Sequence, residues 1–413
     1  MDNSHPAAGK RGPERRPRKL LLAVFALLVA AITVVAVLYY LPAGPRHSPS
    51  SNSCAAPRIS NETALLGTAF RPGIVAAFSA NASSLLIDGN RGRLDPALVS
   101  VSLGSGSPVT TNLSSVVFPF STHVGFFGTA WDGSQWVLPG TELPGKNGTP
   151  FLATMTGDQM VNITSQLLPF YPPGPEHDFG LFTSAMNGTA VLVGGNNSKG
   201  ATLFEVQGGK VTDLTPLLPP SSHGISWVQE IRWNGSGWLI GGYHVFGYLG
   251  PHGYTDLLPG SPFTGNAVLA AASNGSAWMV GGGTPATLAI YQGDKEVAAP
   301  ALPPSFGRWV NTIQSVGHEA WLVAGNGTIA GQPASPATFL FCGPSLASTD
   351  LTGELPSSFW DGQVQWSECI QGLGGVLIGG AGAYHGTYNY ALADASGALA
   401  LAQFGQGCTN GGS

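Results

Sequence analysis

Three histidines recur at nearly the same place in successive stretches of this 413-residue chain, each 13 to 15 residues before an apolar run. They are His123, His177 and His223, and the runs begin at Trp136, Val191 and Trp238. Imidazoles that converge can ligate a metal ion or bind an anion near neutral pH. Imidazoles spread along an arc would form a polar rim for a ligand, or a solvated surface without a role. We predict a ligand-contacting rim and no metal site.

Further polar and aromatic side chains in the corresponding segments extend the predicted rim. They are Asp178, Trp227, Arg308, Trp309, Trp360 and Asp361. Glycoside hydrolysis needs a pair of carboxyl groups, and the candidates are Asp178, Glu230, Asp361 and Glu368. The sequence contains no GxSxG, HExxH, P-loop or dinucleotide-binding motif, so we expect no cofactor.

The elements that carry these side chains form a sevenfold repeat. Each unit has an apolar stretch, a small polar turn, a second apolar stretch and a closing glycine, and the closing glycines are 51, 55, 47, 40, 43 and 55 residues apart. This period suits the four-stranded blades of a β-propeller. With 59 Gly, 32 Pro and 9% charged residues, the chain is a poor helix former, which excludes a helical bundle. The closing glycines are Gly89, Gly140, Gly195, Gly242, Gly282, Gly325 and Gly380.

In four units the second apolar stretch ends in Gly-Gly: VLVGG (191–195), WLIGG (238–242), WMVGG (278–282) and VLIGG (376–380). This ending resembles kelch-type propeller repeats, and the resemblance covers about residues 58–404. It implies an all-β, seven-bladed β-propeller with strands A to D in each blade. The predicted rim then lies in the segments that join strand D to the next strand A, around the axial opening. The resemblance implies no particular activity, because one fold carries many functions.

Closure of the ring requires an outer strand for the last blade, and the candidates are residues 398–404 and 59–67. The chain has four cysteines without a CxxC pair, which argues against a thiolate zinc site and for two disulfides. Three connectivities are possible. We favour Cys54–Cys408, which would close the ring, and Cys342–Cys369, which would join adjacent blades.

An uncharged segment, residues 20–41, is long enough to span a bilayer as a helix. Six basic and two acidic residues in 1–19 predict that the tail is cytoplasmic. A cleaved signal peptide is the alternative, although its apolar region would be shorter. The predicted order is a basic tail (1–19), a transmembrane helix (20–41), a Pro/Ser-rich stalk (42–57), the propeller (58–408) and a C-terminal tail (409–413).

Ten Asn-x-Ser/Thr sequons agree with an extracellular propeller that carries glycans. Several coincide with Asn-Gly hairpin turns, so turn chemistry is a second explanation. From residue 47 onward 10 Lys and Arg stand against 20 Asp and Glu, so nucleic-acid binding is not expected. The sequons are Asn61, Asn81, Asn112, Asn147, Asn162, Asn187, Asn196, Asn234, Asn274 and Asn326.

The sequence therefore predicts a single-pass protein of the cell membrane, with a cytoplasmic N-terminus and an extracellular propeller. The expected function is binding: recognition of, or adhesion to, a surface protein or glycan. The alternative is a glycan-acting hydrolase or lyase with its site in the axial funnel. A structural surface component without a polar site is the third possibility.

Overall fold

The structure is a computed structural model. It describes residues 55–91, 95–104, 107–117, 119–121, 123–142, 148–171, 179–307, 309–317, 320–327, 335–343, 345–360, 362–382, 396–404 and 408. These residues form seven antiparallel sheets, six of four strands and one of five. The innermost strands of successive sheets contact one another, and the innermost strand of the last sheet contacts that of the first. The fold is a seven-bladed β-propeller, as predicted.

Strands A to D are named from the axis outward. Blade one has β2 (Gly73–Ala80), β3 (Ser84–Arg91), β4 (Asp95–Ser102) and β5 (Thr110–Asn112). Blade two has a divided strand A, formed by β6 (Val124–Phe126) and β7 (Ala130–Trp131), followed by β8 (Trp136–Glu142), β9 (Thr149–Thr156) and β10 (Gln159–Asn162). Blade three has β11 (Gly180–Met186), β12 (Val191–Asn197), β13 (Gly200–Gln207) and β14 (Lys210–Asp213).

The later blades repeat this order. Blade four has β15 (Trp227–Trp233), β16 (Trp238–Tyr243), β17 (Phe246–Gly250) and β18 (Gly253–Asp256). Blade five has β19 (Val268–Ser273), β20 (Trp278–Gly282), β21 (Thr287–Gln292) and β22 (Lys295–Ala298). Blade six has β23 (Trp309–Ser315), β24 (Ala320–Gly327), β25 (Ser335–Cys342) and β26 (Ala347–Asp350). Blade seven has β27 (Gln363–Ile370), β28 (Gly375–Gly382), β29 (Ser396–Gln403) and β1 (Arg58–Asn61).

Helical structure among the described residues is confined to single turns. These are one α-helix, α1 (Ser114–Val117), and the 3₁₀ turns Thr63–Leu66, Thr164–Gln166, Leu168–Phe170, Thr215–Leu217, Pro220–Ser222, Thr352–Glu354, Ser357–Phe359 and Gln371–Leu373. Within the part of the chain described, no helix is long and apolar enough to cross a membrane. The predicted span, residues 20–41, lies outside that part.

The N-terminal strand closes the ring. β1 pairs with β29, with Arg58 opposite Gln403 and Asn61 opposite Ala400. Residues 58–61 therefore supply strand D of blade seven, in agreement with the N-terminal candidate. The other candidate, residues 398–404, was wrongly placed, because β29 is strand C of that blade. Strand D runs toward the connection to the next blade, so β1 begins at the opposite end, beside the turns that join strands A and B.

The predicted disulfide pairing is wrong. Cys369 bonds to Cys408, with a Cα–Cα distance of 5.6 Å, and this excludes both Cys54–Cys408 and Cys342–Cys369. Cys342 is also disulfide-bonded, and Cys54 lies outside the described residues. Cys369 lies near the end of β27 and Cys408 follows β29. The bond therefore ties the C-terminal segment to strand A of its own blade instead of joining two blades.

The Gly-Gly pair in strand B has a packing reason at each position, as blade four shows. A Cβ on Gly241 would meet the side chain of Val268, which belongs to strand A of the next blade. A Cβ on Gly242 would meet the carbonyl oxygen of Trp227, where a β-bulge brings strand A of the same blade close. The first glycine therefore allows strand A of the next blade to pack closely. The second allows the bulged strand A of its own blade to approach.

The polar segment that follows strand D forms hydrogen bonds with strand C of the same blade. Thr215 donates its backbone N–H to Asp213 Oδ1 at 2.9 Å. Its hydroxyl accepts the Leu203 N–H at 3.1 Å, so one side chain satisfies a backbone donor of strand C. Asn162-Ile-Thr164 makes the same pair of bonds in blade two. Asn and Asp are thus interchangeable here, which supports turn chemistry as the reason for this sequon.

The hairpins between strands A and B are also held by an Asn or Asp side chain that accepts backbone N–H groups. Asn234 Oδ1 accepts the backbone N–H groups of Ser236 and Gly237, both at 3.0 Å. Asp132 plays the same part in blade two, with 2.8 Å bonds from Ser134 and Gln135. The sequons at Asn81, Asn187, Asn234 and Asn274 are therefore turns that the fold requires in any case.

Both faces of the inner strands are covered, which explains their nearly continuous apolar sequences. The hydrophobic clusters bridge adjacent blades. Leu192 and Leu203 of blade three, for example, pack with Val228 and Ile240 of blade four. The core of this fold is therefore a ring of inter-blade layers around a central axis.

Candidate functional site

The propeller has two faces, and the predicted rim residues that the structure describes lie at one of them. We call the face with the D–A and B–C connections the D–A face, and the face with the A–B and C–D turns the A–B face. His123 and His223 lie exposed in D–A connections. Trp360 lies in the connection between blades six and seven and is 65% exposed. These three predicted residues are thus available to a ligand on the D–A face.

Two further rim tryptophans are half-buried at the beginning of strand A. Trp227 stacks on Tyr243 with ring centroids 4.8 Å apart and donates its indole N–H to Gln229. Trp309 donates its indole N–H to Thr284 Oγ1 at 2.7 Å. Hydrogen bonds of this kind hold the indole rings in one orientation, as a contact surface requires.

The remaining rim residues, His177, Asp178, Arg308 and Asp361, lie outside the described residues. Convergence of the three histidines on one opening therefore stays a prediction. Within the described ranges no group of three or more His, Cys, Asp or Glu side chains could hold a metal ion.

Exposed apolar side chains are concentrated in the D–A connections. Of the eight large hydrophobic residues that are exposed in the described part of the chain, five lie there. Of the other three, Val161 and Val297 lie on outer strands and Val109 lies in the C–D connection of blade one, on the A–B face; none lies in an A–B turn. Exposed apolar patches mark sites of protein contact. The five are Phe120, Leu168, Leu217, Ile225 and Trp360.

A second site lies on the axis, toward the A–B face. A cavity of about 130 Å³ is lined by residues from strand A, or directly beside it, in all seven blades. Its wall includes Ala80, Met186, Trp233 and Ser273, which are the last residues of their strands. The cavity is therefore located at the end of the axial channel opposite to the predicted rim.

Arg232 crosses the axis within this cavity. Its Nε donates to Glu230 Oε1 at 2.7 Å, and its Cζ lies 4.7 Å from the centroid of the Trp366 ring. Trp366 belongs to blade seven and Arg232 to blade four, so the side chain joins two blades that are not neighbours. Glu230 also accepts the Ala271 backbone N–H at 3.1 Å, which links blade four to blade five.

Glu368 completes the charged group. It lines the same cavity, and Trp366 Nε1 donates to its Oε2 at 3.4 Å. Burial raises the pKa of Glu368 to about 7, although Arg232 and the indole N–H act in the opposite direction. Burial also raises the pKa of Glu230, against the lowering effect of Arg232. Near neutral pH Glu368 can therefore gain or lose a proton.

The two glutamates that the sequence suggested as carboxylate candidates thus lie around one arginine. Arg232 itself was not predicted as a site residue. The only signal for it is the segment QEIRW, in which Glu230 and Arg232 stand two positions apart on a strand and so face the same side. Charge is unusual on an innermost strand, because that strand faces either core or axis.

The sequons differ in accessibility. Asn61, Asn112 and Asn162 are exposed, whereas Asn326 is 4% exposed and donates its amide to Gln363 Oε1. A glycan on Asn326 is incompatible with this packing. Asn147 lies outside the described residues, and Asn196 is half-buried, with its Oδ1 accepting the Gly180 N–H.

The comparisons with known proteins concern the fold. No protein-family model and no curated protein sequence matches the chain. The WD40 repeats of RRP9 are 10% identical, with 85% of this chain and 100% of that chain covered and a TM-score of 0.55. A chain of the COPII outer coat vertex on membranes is 12% identical, with coverages of 82% and 85% and a TM-score of 0.50. At these identities the likeness supports the β-propeller fold and indicates no function.

Proposed function

We propose that this protein is a membrane-anchored cell-surface module that binds a protein partner through the D–A face of its propeller. The concentration of exposed apolar side chains in the D–A connections carries the proposal. Phe120, Ile225 and Trp360 each lie two to four residues before a strand A, near the axis. Large apolar side chains near the centre of a patch supply most of the energy of a protein interface.

The opposite face has a different composition. In blades one to five its A–B turns are short hairpins in which an Asn or Asp side chain accepts backbone N–H groups of the turn. Such turns offer a partner few apolar atoms.

The surface location rests on the sequence. The uncharged segment 20–41, its basic flank and the acidic remainder of the chain support a single-pass anchor with the propeller outside. A disulfide between Cys369 and Cys408 agrees with an oxidising compartment. The kelch-like ending of strand B belongs to the same proposal and adds no function of its own.

Polar substitution of the D–A face tests the proposal. The double variant Ile225→Ser/Trp360→Ser should lower partner recovery from surface-cross-linked cells by about tenfold or more, since hot-spot truncations cost at least about 2 kcal/mol each. Val161→Ser/Val297→Ser is the matched control, because these side chains are 57% and 51% exposed but lie on outer strands. Quantitative mass spectrometry of the recovered protein provides the readout.

Equal recovery by both double variants, with both folded, would contradict the proposal. Selective loss of glycan binding in place of protein binding would assign the face to a sugar. Proteolysis of intact cells tests location separately: the propeller should be cut from the outside, and full protection would exclude an extracellular position.

The glycan-acting enzyme is the weaker candidate. Glu230 is bonded to Arg232 and to the Ala271 N–H, so its carboxylate is engaged in the fold and not directed at a substrate. Glycoside chemistry requires two carboxyl groups that are both free to act.

A further inference from the structure

The axial cavity contains space that the side chains of its wall do not fill. Its volume of about 130 Å³ exceeds the room that a single water molecule requires. Much of the wall is small, with Ala80, Ala130, Ala185 and Ala272 among the lining residues. The site therefore has space for a compact molecule.

Arg232 provides donors on one side. Among the described residues Glu230 is the carboxylate that its guanidinium bonds, and that bond uses Nε. The Nη groups remain available, and a guanidinium presents them in a geometry that matches a carboxylate. Because Trp366 covers one face of the guanidinium, its plane is held in place.

Glu368 provides an acceptor on strand A of blade seven, the strand whose Trp366 the Arg232 guanidinium covers. Its contact with Trp366 Nε1 occupies one carboxylate oxygen. The charged group that acts on Glu368 is Arg232 on β15, which is also paired with Glu230. The arginine and Glu230 offset each other, so Glu368 determines the net charge of the cavity.

Two hydroxyl groups in the wall point to a polar occupant. Thr129 and Ser184 are 3% and 4% exposed and line the cavity. Their oxygen atoms have no hydrogen-bond partner among the described residues. Buried hydroxyl groups are ordinarily bonded, and a polar molecule in the cavity would supply these two with a partner.

We propose that the axial cavity binds a small zwitterion of the free amino acid class, with its carboxylate on Arg232 and its ammonium group on Glu368. A lone anion would place its charge beside Glu368, and a lone cation would place its charge beside Arg232. A zwitterion satisfies both groups without changing the net charge. The alanines of the wall restrict the ligand to a short side chain, as in glycine, alanine or serine.

Calorimetric titration of the full chain in detergent tests this site. Glycine, L-alanine and L-serine should bind, whereas acetate, ethylammonium and glucose should not. Glu368→Gln keeps the shape and the contact with Trp366 but removes the charge, and it should weaken binding by about tenfold or more. Glu354→Gln, at an exposed residue, is the matched control and should bind as the native chain does.

The pH dependence provides a second readout. The ammonium group requires ionised Glu368, so affinity should rise between about pH 5.5 and about pH 8, and Glu368→Gln should remove that rise. Absence of binding by all three amino acids would overturn the proposal, as would equal binding of acetate or glucose. The D–A variant Ile225→Ser/Trp360→Ser should leave the titration unchanged, so failure of either proposal is recognised separately.

Discussion

At the scale of single residues, a charged group at the axis stands out against an apolar interior. Arg232 bonds Glu230 on its own strand and covers Trp366 on a strand three blades later. The Glu-x-Arg spacing places both charges on one side of β15, which the sequence does predict. Their meeting with Trp366 and Glu368 follows from closure of the ring, and no local pattern contains that information.

The raised pKa values make stability depend on pH. Glu368 has a folded pKa of about 7, above the ordinary value of 4.5, so the folded protein binds this proton more tightly than the unfolded chain. The contribution is present at acid pH and is lost as pH rises through about 7. Burial raises the pKa of Asp88 and Glu230 in the same direction. The melting temperature should therefore be higher at pH 5 than at pH 8.

Replacement of Glu368 by Gln should reduce that difference by about 2 °C, measured by calorimetry at both pH values. Glu354→Gln, which lies on the surface, provides the control and should keep the native difference. An unchanged pH profile in Glu368→Gln would show that this carboxyl group is not buried as described.

At the scale of elements, the second glycine of the doublet should be indispensable. Gly242→Ala forces a methyl group against the carbonyl oxygen of Trp227, where only the backbone could move. We expect a loss of about 2–3 kcal/mol in the free energy of unfolding, measured with denaturant. Gly353→Ala should stay within about 0.5 kcal/mol, because nothing lies near that position. Equal effects of the two substitutions would refute the packing argument.

The seven blades could be predicted from the sequence because the close approach of strand A to the closing glycine of strand B repeats in each of them. In every unit a Cβ on the closing glycine would meet a backbone carbonyl oxygen in strand A or directly before it, as Gly242 would meet that of Trp227, so each unit has glycine there. Strand order in blade seven was harder to predict, since residues 398–404 and 59–67 were both candidates for its outer strand. Their difference, strand C against strand D, depends on pairing partners far apart in the chain.

At the scale of the whole molecule, hydrogen bonds between β1 and β29 close the ring, and the Cys369–Cys408 bond excludes the predicted Cys54–Cys408 pair. The pairing of Cys54 with Cys408 was argued from position in the sequence. Position does not reveal that Cys408 returns to β27 beside Cys369. The sequence contains no local pattern that predicts contact between the C-terminal segment and strand A of blade seven.

The observed bond closes a segment of 39 residues, for which loop entropy gives roughly 3–4 kcal/mol of stabilisation. Cys408→Ser should therefore lower the melting temperature under oxidising conditions. Thermal unfolding with a reductant supplies the control, since native and variant chains should then melt together. A deficit that persists in reductant would assign the loss to packing and not to the bond.

The two faces of the propeller differ in what they expose. The D–A connections expose large apolar side chains, whereas A–B turns such as Asn234–Gly237 are polar and bonded to their own backbone. Site-specific photo-cross-linking on intact cells tests this division most directly. A photoreactive residue at His223 samples the D–A face, and one at Ser236 samples the A–B face. The account predicts a partner adduct from position 223 and none from position 236. An adduct from position 236 alone, or equal adducts from both, would contradict it.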